Sequence, residues 1–164
     1  MVSDVSFDED GSGSTSLSAS DVDGDGLTFS ITGGSDITTT LDGSDISFSA
    51  PLNYNGSETF TVSVSDGELI DEQTITVTVN AVNDAPIATT SLVGTTSEDQ
   101  SVVVSLSGSD VDGDVLTFSL ANDATNGNVL ISGSVATYTP NQDFNGTDSF
   151  TFTVSDGDLS DDAS

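Results

Sequence analysis

Apolar residues are not scattered along this chain. In segment after segment they alternate with serine or threonine: positions 59–65 read Thr-Phe-Thr-Val-Ser-Val-Ser and positions 74–79 read Thr-Ile-Thr-Val-Thr-Val. This is the period of a β-strand with one face buried, and helical spacing fits neither segment. Further strands are predicted at 27–32, 45–49, 102–107, 115–120, 127–131 and 136–139, each bounded by clusters of Gly, Asn, Asp or Ser that favour turns. Short strands punctuated so regularly predict an all-β sandwich. Its inward faces would carry Leu27, Phe29, Ile31, Phe48, Phe60, Val62, Val64, Ile75, Val77 and Val79, and later Leu106, Leu116, Phe118, Phe150, Phe152 and Val154.

The pattern repeats. Ser20-Asp21-Val22-Asp23-Gly24-Asp25-Gly26-Leu27-Thr28-Phe29-Ser30 returns as Ser109-Asp110-Val111-Asp112-Gly113-Asp114-Val115-Leu116-Thr117-Phe118-Ser119, an offset of 89 (110 − 21). Downstream, Asn55-Gly56 and Ser65-Asp66-Gly67 return as Asn145-Gly146 and Ser155-Asp156-Gly157, an offset of 90 (145 − 55), so one loop residue has been inserted between the two matches. Glu9-Asp10 pairs in the same way with Glu98-Asp99. These are two copies of one domain, predicted as a first sandwich over 1–82, a linker over 83–86 and a second sandwich over 87–164. Pro86 stiffens that linker and pushes Ala85 toward an extended conformation, which would hold the two sandwiches end to end. The second copy stops at Ser164, where the first runs on into its 74–79 strand, so the second sandwich is expected to lack its last strand.

Composition narrows the chemistry. Among 164 residues there are 28 Asp plus Glu and no Lys, Arg, His or Cys, giving a formal net charge of −28. Self-repulsion on this scale opposes a compact state, so folding calls for screening salt or bound cations. A hydrophobic share of 34% lies below the globular norm and would suit a disordered chain, but strict alternation argues for strands. Without Cys there are no disulfides and no thiolate sites, and without His there is no imidazole base and no ordinary zinc site. Enzymatic activity is not expected. Paired carboxylates, the device of glycosidases, are the one catalytic option left, but turn chemistry accounts for these residues. Nucleic acid is excluded as a partner because phosphate binding rests on Lys and Arg. Direct membrane insertion is not expected: no apolar run approaches the roughly 18 residues that a spanning helix needs, and anionic membrane surfaces would repel so acidic a chain. Met1-Val2-Ser3-Asp4 begins no signal peptide, so the chain is expected to be a piece of a longer exported protein.

Asp21-x-Asp23-x-Asp25 and its copy place three carboxylates at alternate positions in a Gly-containing loop, a spacing that lets one turn aim several oxygens at a hard cation such as calcium. Read alone, such a triplet is equally a solvated hairpin loop. It is not an EF-hand loop, because the twelfth position holds Thr32 in one copy and Ala121 in the other instead of a bidentate Glu.

In order along each copy come the early Glu9 or Glu98, Ser-Asp-Val-Asp before Leu-Thr-Phe-Ser, then Val-Ser-Asp-Gly before the final strand, with Val82-Asn83-Asp84-Ala85-Pro86 between the copies. In this order the chain resembles the cadherin family, and specifically the bacterial cadherin-like repeats of large surface adhesins. The resemblance implies tandem Greek-key β-sandwiches of cadherin-like or Ig-like type, located extracellularly at a cell surface, with Ca2+ between consecutive domains. It also implies the ligands. Glu9 would come from the first copy, Asn83 and Asp84 from the linker, and Asp110, Asp112 and Asp156 from the second copy. Asp21, Asp23 and Asp66 would face a preceding repeat, and Glu98 a following one. Two departures from the family pattern, Tyr54-Asn55-Gly56 with Glu58 nearby in place of Asp-Arg-Glu, and Asn80 in place of the first linker Asp, imply fewer or weaker sites.

The expected function is that of a calcium-stiffened structural or adhesive segment. Its partners would be neighbouring repeats, with cell-surface or carbohydrate ligands as further candidates, although only Tyr54 and Tyr138 offer polar aromatic platforms. The alternative is a filament subunit, in which the strand missing from the second copy is donated by another copy of the chain.

Overall fold

A computed structural model describes residues 2–164, and among these every regular element is a β-strand. The chain divides into two units, Met1–Val82 and Asn83–Ser164. Residues 83–86, expected as a separate linker, therefore fold with the second unit, where Pro86 is fully buried.

The first unit contains β1 (Val5–Asp8), β2 (Ser12–Ser16), β3 (Thr28–Gly33), β4 (Thr38–Asp42), β5 (Asp45–Ser49), β6 (Gly56–Ser65) and β7 (Ile70–Asn80). One sheet has the order β1-β7-β6-β3 and the other β2-β5-β4. β6 and β7 form a long antiparallel pair running from Gly56↔Val79 to Ser65↔Ile70. β1 joins the far side of β7 in parallel, with Val5 opposite Val77 and Phe7 opposite Val79. The alternating residues then fall inward as their period requires: Phe60, Val62, Ile75, Val77 and Val79 are buried, together with Ile46 and Phe48 from the facing sheet. Phe48 meets Phe60 edge to face, with ring centroids 5.6 Å apart and planes at 68°.

The second unit contains β8 (Ile87–Ala88), β9 (Val102–Ser105), β10 (Gly108–Ser109), β11 (Thr117–Asn122), β12 (Gly127–Ser132), β13 (Val135–Pro140), β14 (Thr151–Ser155) and β15 (Ser160–Ala163). Its sheets are β11-β14-β15, β12-β13-β9 and the short pair β10-β8. Phe152, Val154, Leu106, Val129 and Ala136 form its core.

Several expected inward residues, namely Leu27, Phe29, Ile31, Val64, Leu116 and Phe118, are only half-buried. Phe29, Ile31 and Phe118 lie on β3 and β11, the outermost strands of their sheets, and have a neighbouring strand on one side alone; Leu27 and Leu116 stand just before those strands. The last strand of the second unit, expected to be absent, is present as the four residues of β15, which pair with β14 from Phe152↔Ala163 to Ser155↔Ser160. Its counterpart β7 has eleven residues. Where β15 stops, the neighbouring pattern stops too. Residues 146–150 are not in a strand, although their counterparts at 56–60 are, and Phe150 is half-buried where Phe60 is only 1% exposed.

The two sandwiches reach similar packing with different side chains. In the first unit a Cβ on Gly13 would lie 2.6 Å from the Phe7 ring and 2.9 Å from Val5. In the second unit Val102 and Val104 stand in place of Gly13 and Thr15, and Gly94 and Thr96 in place of Val5 and Phe7. There a Cβ on Gly94 would lie 3.0 Å from Val104. The bulk has moved from one strand to the other.

Carboxylates close the loops. Glu58 accepts the N–H groups of Ser35, Asp36 and Ile37 at 2.9, 3.0 and 3.1 Å and the Ser35 hydroxyl at 2.6 Å. The Ser35 hydroxyl first, and the backbone N–H groups with it, hold this carboxyl at about 2, well below its ordinary value. Asp148 takes the same role in the second unit, accepting from Thr125 N–H, Asn126 N–H and the Tyr138 hydroxyl. Asp10 accepts the N–H of Asn53, and Asp99 that of Asp143, each at 2.9 Å. All four of these residues have positive φ, near 60°, a conformation that Asn and Asp tolerate better than other side chains.

Two outcomes are expected. Phe60→Ala should destabilise the first unit by about 3–5 kcal/mol, and Phe150→Ala should cost the second unit distinctly less, as read from the two transitions in a denaturant titration. Because the Glu58 carboxyl titrates lower folded than unfolded, its stabilisation is complete above its unfolded value and is lost as the pH falls toward about 2. Glu58→Gln should therefore flatten the acid limb of first-unit unfolding, followed by NMR of first-unit amides.

Candidate functional site

The acidic loop of the second unit joins β10 to β11. Gly113, at φ 82°, lets the backbone turn back on itself, and the Asp114 N–H donates to Asp110 Oδ1 at 3.2 Å. One carboxylate oxygen from each of Asp110, Asp112 and Asp114 then lies within 4.8 Å of the other two. Residues 83 and 84 are laced onto this loop and its neighbour. The Asp84 N–H donates to Asp112 Oδ2 at 2.8 Å, and the Asn83 side-chain amide donates to Asp156 Oδ2 at 2.9 Å. Asp156 in turn shapes its own turn, its Oδ1 accepting the N–H groups of Asp158 and Leu159 at 2.7 Å each. Asn83, Asp84, Asp110, Asp112 and Asp156, the ligand set expected of the second unit and its linker, thus share one patch.

Asp114 belongs to this patch but not to the expected set; its signal was the third Asp of the alternating triplet. The Asp156 carboxyl sits below its ordinary range, first because of the Asn83 amide and then because of the Leu159 and Asp158 N–H groups.

The patch can be tested for a cation by its donor chemistry. Asp110 Oδ2 is enclosed and meets no hydrogen-bond donor. An enclosed carboxylate oxygen without a donor is costly, and the chain has no Lys, Arg or His to supply one. Carboxylate and amide oxygens are the hard donors that suit calcium, whereas the thiolate and imidazole ligands that favour zinc are missing. The residues present therefore fit a calcium ion, for which Asp110, Asp112 and Asp114 would form the centre.

In the first unit the corresponding residues are arranged differently. Asp21 Oδ1 accepts the N–H groups of Asp23 and Asp25 at 2.8 and 3.1 Å, but among the described residues only the second unit's triplet brings three carboxylates together within 4.8 Å. Asp66 accepts the N–H groups of Leu69 and Glu68, which lower its carboxyl; it shapes a turn as Asp156 does. Glu9 is buried at 6% exposure. Its Oε1 accepts the Val82 N–H at 2.6 Å, its own N–H donates to the Asn80 carbonyl at 2.9 Å, and its Oε2 is enclosed without a donor. The carboxylate thereby ties down the last residue of the unit, a role not visible in the sequence. Glu98, its counterpart, is exposed.

Tyr54 and Tyr138 are half-buried against the two cores, so neither ring stands free as a platform. Glu58, near the position of the departed Asp-Arg-Glu motif, serves the 35–37 turn.

Comparison with known proteins agrees with the fold. No curated protein matches the sequence. Among solved structures, the EC1-2 pair of human protocadherin-24, two cadherin repeats, is 16% identical with a TM-score of 0.50, and the match covers 94% of this chain and 86% of that one. An endo-fucoidan hydrolase from glycoside hydrolase family 107 is 23% identical with a TM-score of 0.40, over 98% of this chain and 27% of that one. The chain spans only 23% to 32% of the three hydrolase chains of this kind that it matches. At 16% identity the protocadherin likeness concerns the fold alone. The family model described as bacterial Ig domain matches twice, over residues 1–79 and 83–164. The chain belongs to the bacterial Ig domain family, as two consecutive copies of cadherin-like architecture.

Proposed function

We propose that this chain is a structural segment of an extracellular bacterial surface protein, in which calcium held by the second unit's acidic patch restrains the connection to the unit before it. The observation that carries this reading is the convergence of Asp110, Asp112 and Asp114, with Asp110 Oδ2 enclosed and lacking a donor. At an effective dielectric of about 20, two carboxylates roughly 4 Å apart repel by about 4 kcal/mol, so a divalent ion relieves a strain that no side chain of this protein can relieve.

Asn83 and Asp84 are the residues through which the ion would act on the connection, because both are already bonded to the acidic loops. Glu9, with its unbonded oxygen beside Val82, is the first unit's candidate contributor. Asp21, Asp23 and Asp66 are candidates toward a preceding repeat, and Glu98 toward a following one. Such a role is mechanical: without the ion the acidic segments repel and the connection is loose, and with it the connection stiffens. Neighbouring repeats are the partners this reading requires.

The test is a calorimetric calcium titration of the chain beside the Asp110→Asn, Asp112→Asn double variant. The variant should lose at least one ion per chain; unchanged stoichiometry would overturn the reading. At a free calcium concentration about 100 times the dissociation constant, the second unit should gain about 2.7 kcal/mol, or roughly 10–20 °C in melting temperature for a domain of this size. That gain should vanish in chelator. In small-angle scattering the maximum dimension should be better defined with calcium than without.

Asn83→Ala should raise the Asp156 carboxyl toward its ordinary value, since it removes the largest cause of the lowering. Carboxyl NMR would register this as a titration midpoint moved to higher pH. The part of second-unit stability linked to Asp156, present above its unfolded value and lost as pH falls through the lower folded one, should then shrink.

A further inference from the structure

Along the strands of the first unit, outward positions carry mainly Ser, Thr and acidic residues; one sheet of the second unit is built differently. In β12-β13-β9, Leu130, Thr137 and Val103 stand opposite one another in a row across the three strands, and Ser132, Val135 and Ser105 form the next row. Their neighbours Val129 and Ala136 belong to the core, so by strand alternation these six residues face water. Leu130 is 69%, Val103 59% and Val135 38% exposed. The first unit shows what the architecture itself requires at these places. Its β4-β5-β2 sheet has the same register, and there the two rows read Thr40–Ser47–Ser14 and Asp42–Asp45–Ser16. A sandwich of this kind therefore folds with hydroxyls and carboxylates at these positions. The second unit carries two acids fewer and three aliphatic side chains more on the same face, and its three strands contain no charged residue.

We propose that this face is a homotypic docking surface, on which the β12-β13-β9 sheet of one copy of the chain lies against the same sheet of a second copy. Contiguous aliphatic side chains held in water on a rigid sheet mark a contact surface, and charge selects the occupant. With a net charge of −28 and no basic residue, two copies repel wherever their acidic loops meet, and a sheet without carboxylates is a surface on which they can touch with little repulsion. A basic partner would be drawn to the acidic loops instead. The pattern is also self-complementary. With a two-fold axis along β13, Leu130 of each copy covers Val103 of its partner and Val135 meets Val135, the reciprocal pairing of an isologous contact. Twisted sheets pack face to face in the same manner inside a sandwich. Asp123 stands at one corner of the face, where the Asn128 amide and the Val129 N–H occupy its carboxylate. Two rows of three residues from each copy are well short of the roughly 20–30 residues a side of a stable interface, so the contact is weak singly and is reinforced where several such units lie along one protein. The inference does not rest on calcium, since the acidic patch contributes no residue to the face.

The test is sedimentation equilibrium of the full chain in chelator, at protein concentrations reaching about 1 mM. The expected result is a monomer–dimer equilibrium that shifts toward dimer as NaCl rises from about 0.15 M to about 1 M, where the screening length falls to about 3 Å; a contact between opposite charges would weaken over the same range. A variant carrying the first unit's residues, Val103→Ser, Leu130→Thr and Val135→Asp, should associate at least about tenfold more weakly, with an amide NMR spectrum that remains that of a folded chain. The reverse transplant, Ser14→Val, Thr40→Leu and Asp45→Val, gives the first unit the same face and should strengthen association. A wild-type chain that stays monomeric in high salt, association undiminished in the first variant, or association unchanged in the second would overturn the proposal. Retention on phosphatidylcholine vesicles through Val103, Leu130 and Val135, without self-association, would also overturn it, by making a lipid surface the occupant. Because chelator is present throughout, failure here leaves the calcium titration standing, and failure of that titration leaves this result standing.

Discussion

The constraint on which this structure depends is that none of its carboxylates can meet a basic side chain. With 28 acidic residues and no Lys, Arg or His, each buried or half-buried carboxylate oxygen must be satisfied by a backbone N–H, a hydroxyl, an amide or something from outside. The fold uses the first three almost everywhere. Glu58 and Asp148 hold loops by their N–H groups, Asp66 and Asp156 hold turns, Asp4 accepts the N–H of Thr76, and Asp161 that of Ala88. In most proteins such residues would be drawn into ion pairs. Here they serve as turn-forming elements. Glu9 Oε2 and Asp110 Oδ2 stand out against this background because internal donors do not reach them.

The fold was legible in the sequence wherever burial and strand period coincided. β6 and β7 could be read directly, because Phe60, Val62, Ile75, Val77 and Val79 alternate with hydroxyl residues and all lie inward. β2 and β4 could not. Ser12–Ser16 contains no apolar side chain larger than glycine, and Thr38–Asp42 contains only Leu41, so each is held in place by pairing with β5 and not by a pattern of its own. β8 and β10, two residues each, are too short to show any period.

The candidate site was legible through spacing. The Asp triplet and the Asn-Asp-x-Pro segment singled out the residues that come together in the second unit, while the part played by Asp114 and the closure of Val82 onto Glu9 arise from backbone geometry that spacing does not encode. Asp21 is occupied by its own loop's N–H groups, whereas in the second unit residues 83 and 84 pull Asp112 and Asp156 into a common patch.

The exchange of bulk between β1 and β2 in the first unit and the matching segments of the second bears on how such arrays can evolve. A hybrid that joined the Phe7 segment to a strand carrying Val102 and Val104 would force a ring and two isopropyl groups into space that each unit allots to one of them. The opposite hybrid, Gly94 and Thr96 over Gly13, would leave a hole. Recombination that cuts between whole units preserves both solutions, and recombination that cuts inside one does not. The two units thus share one architecture while these two strands, each fitted to its own partner, are not interchangeable between them.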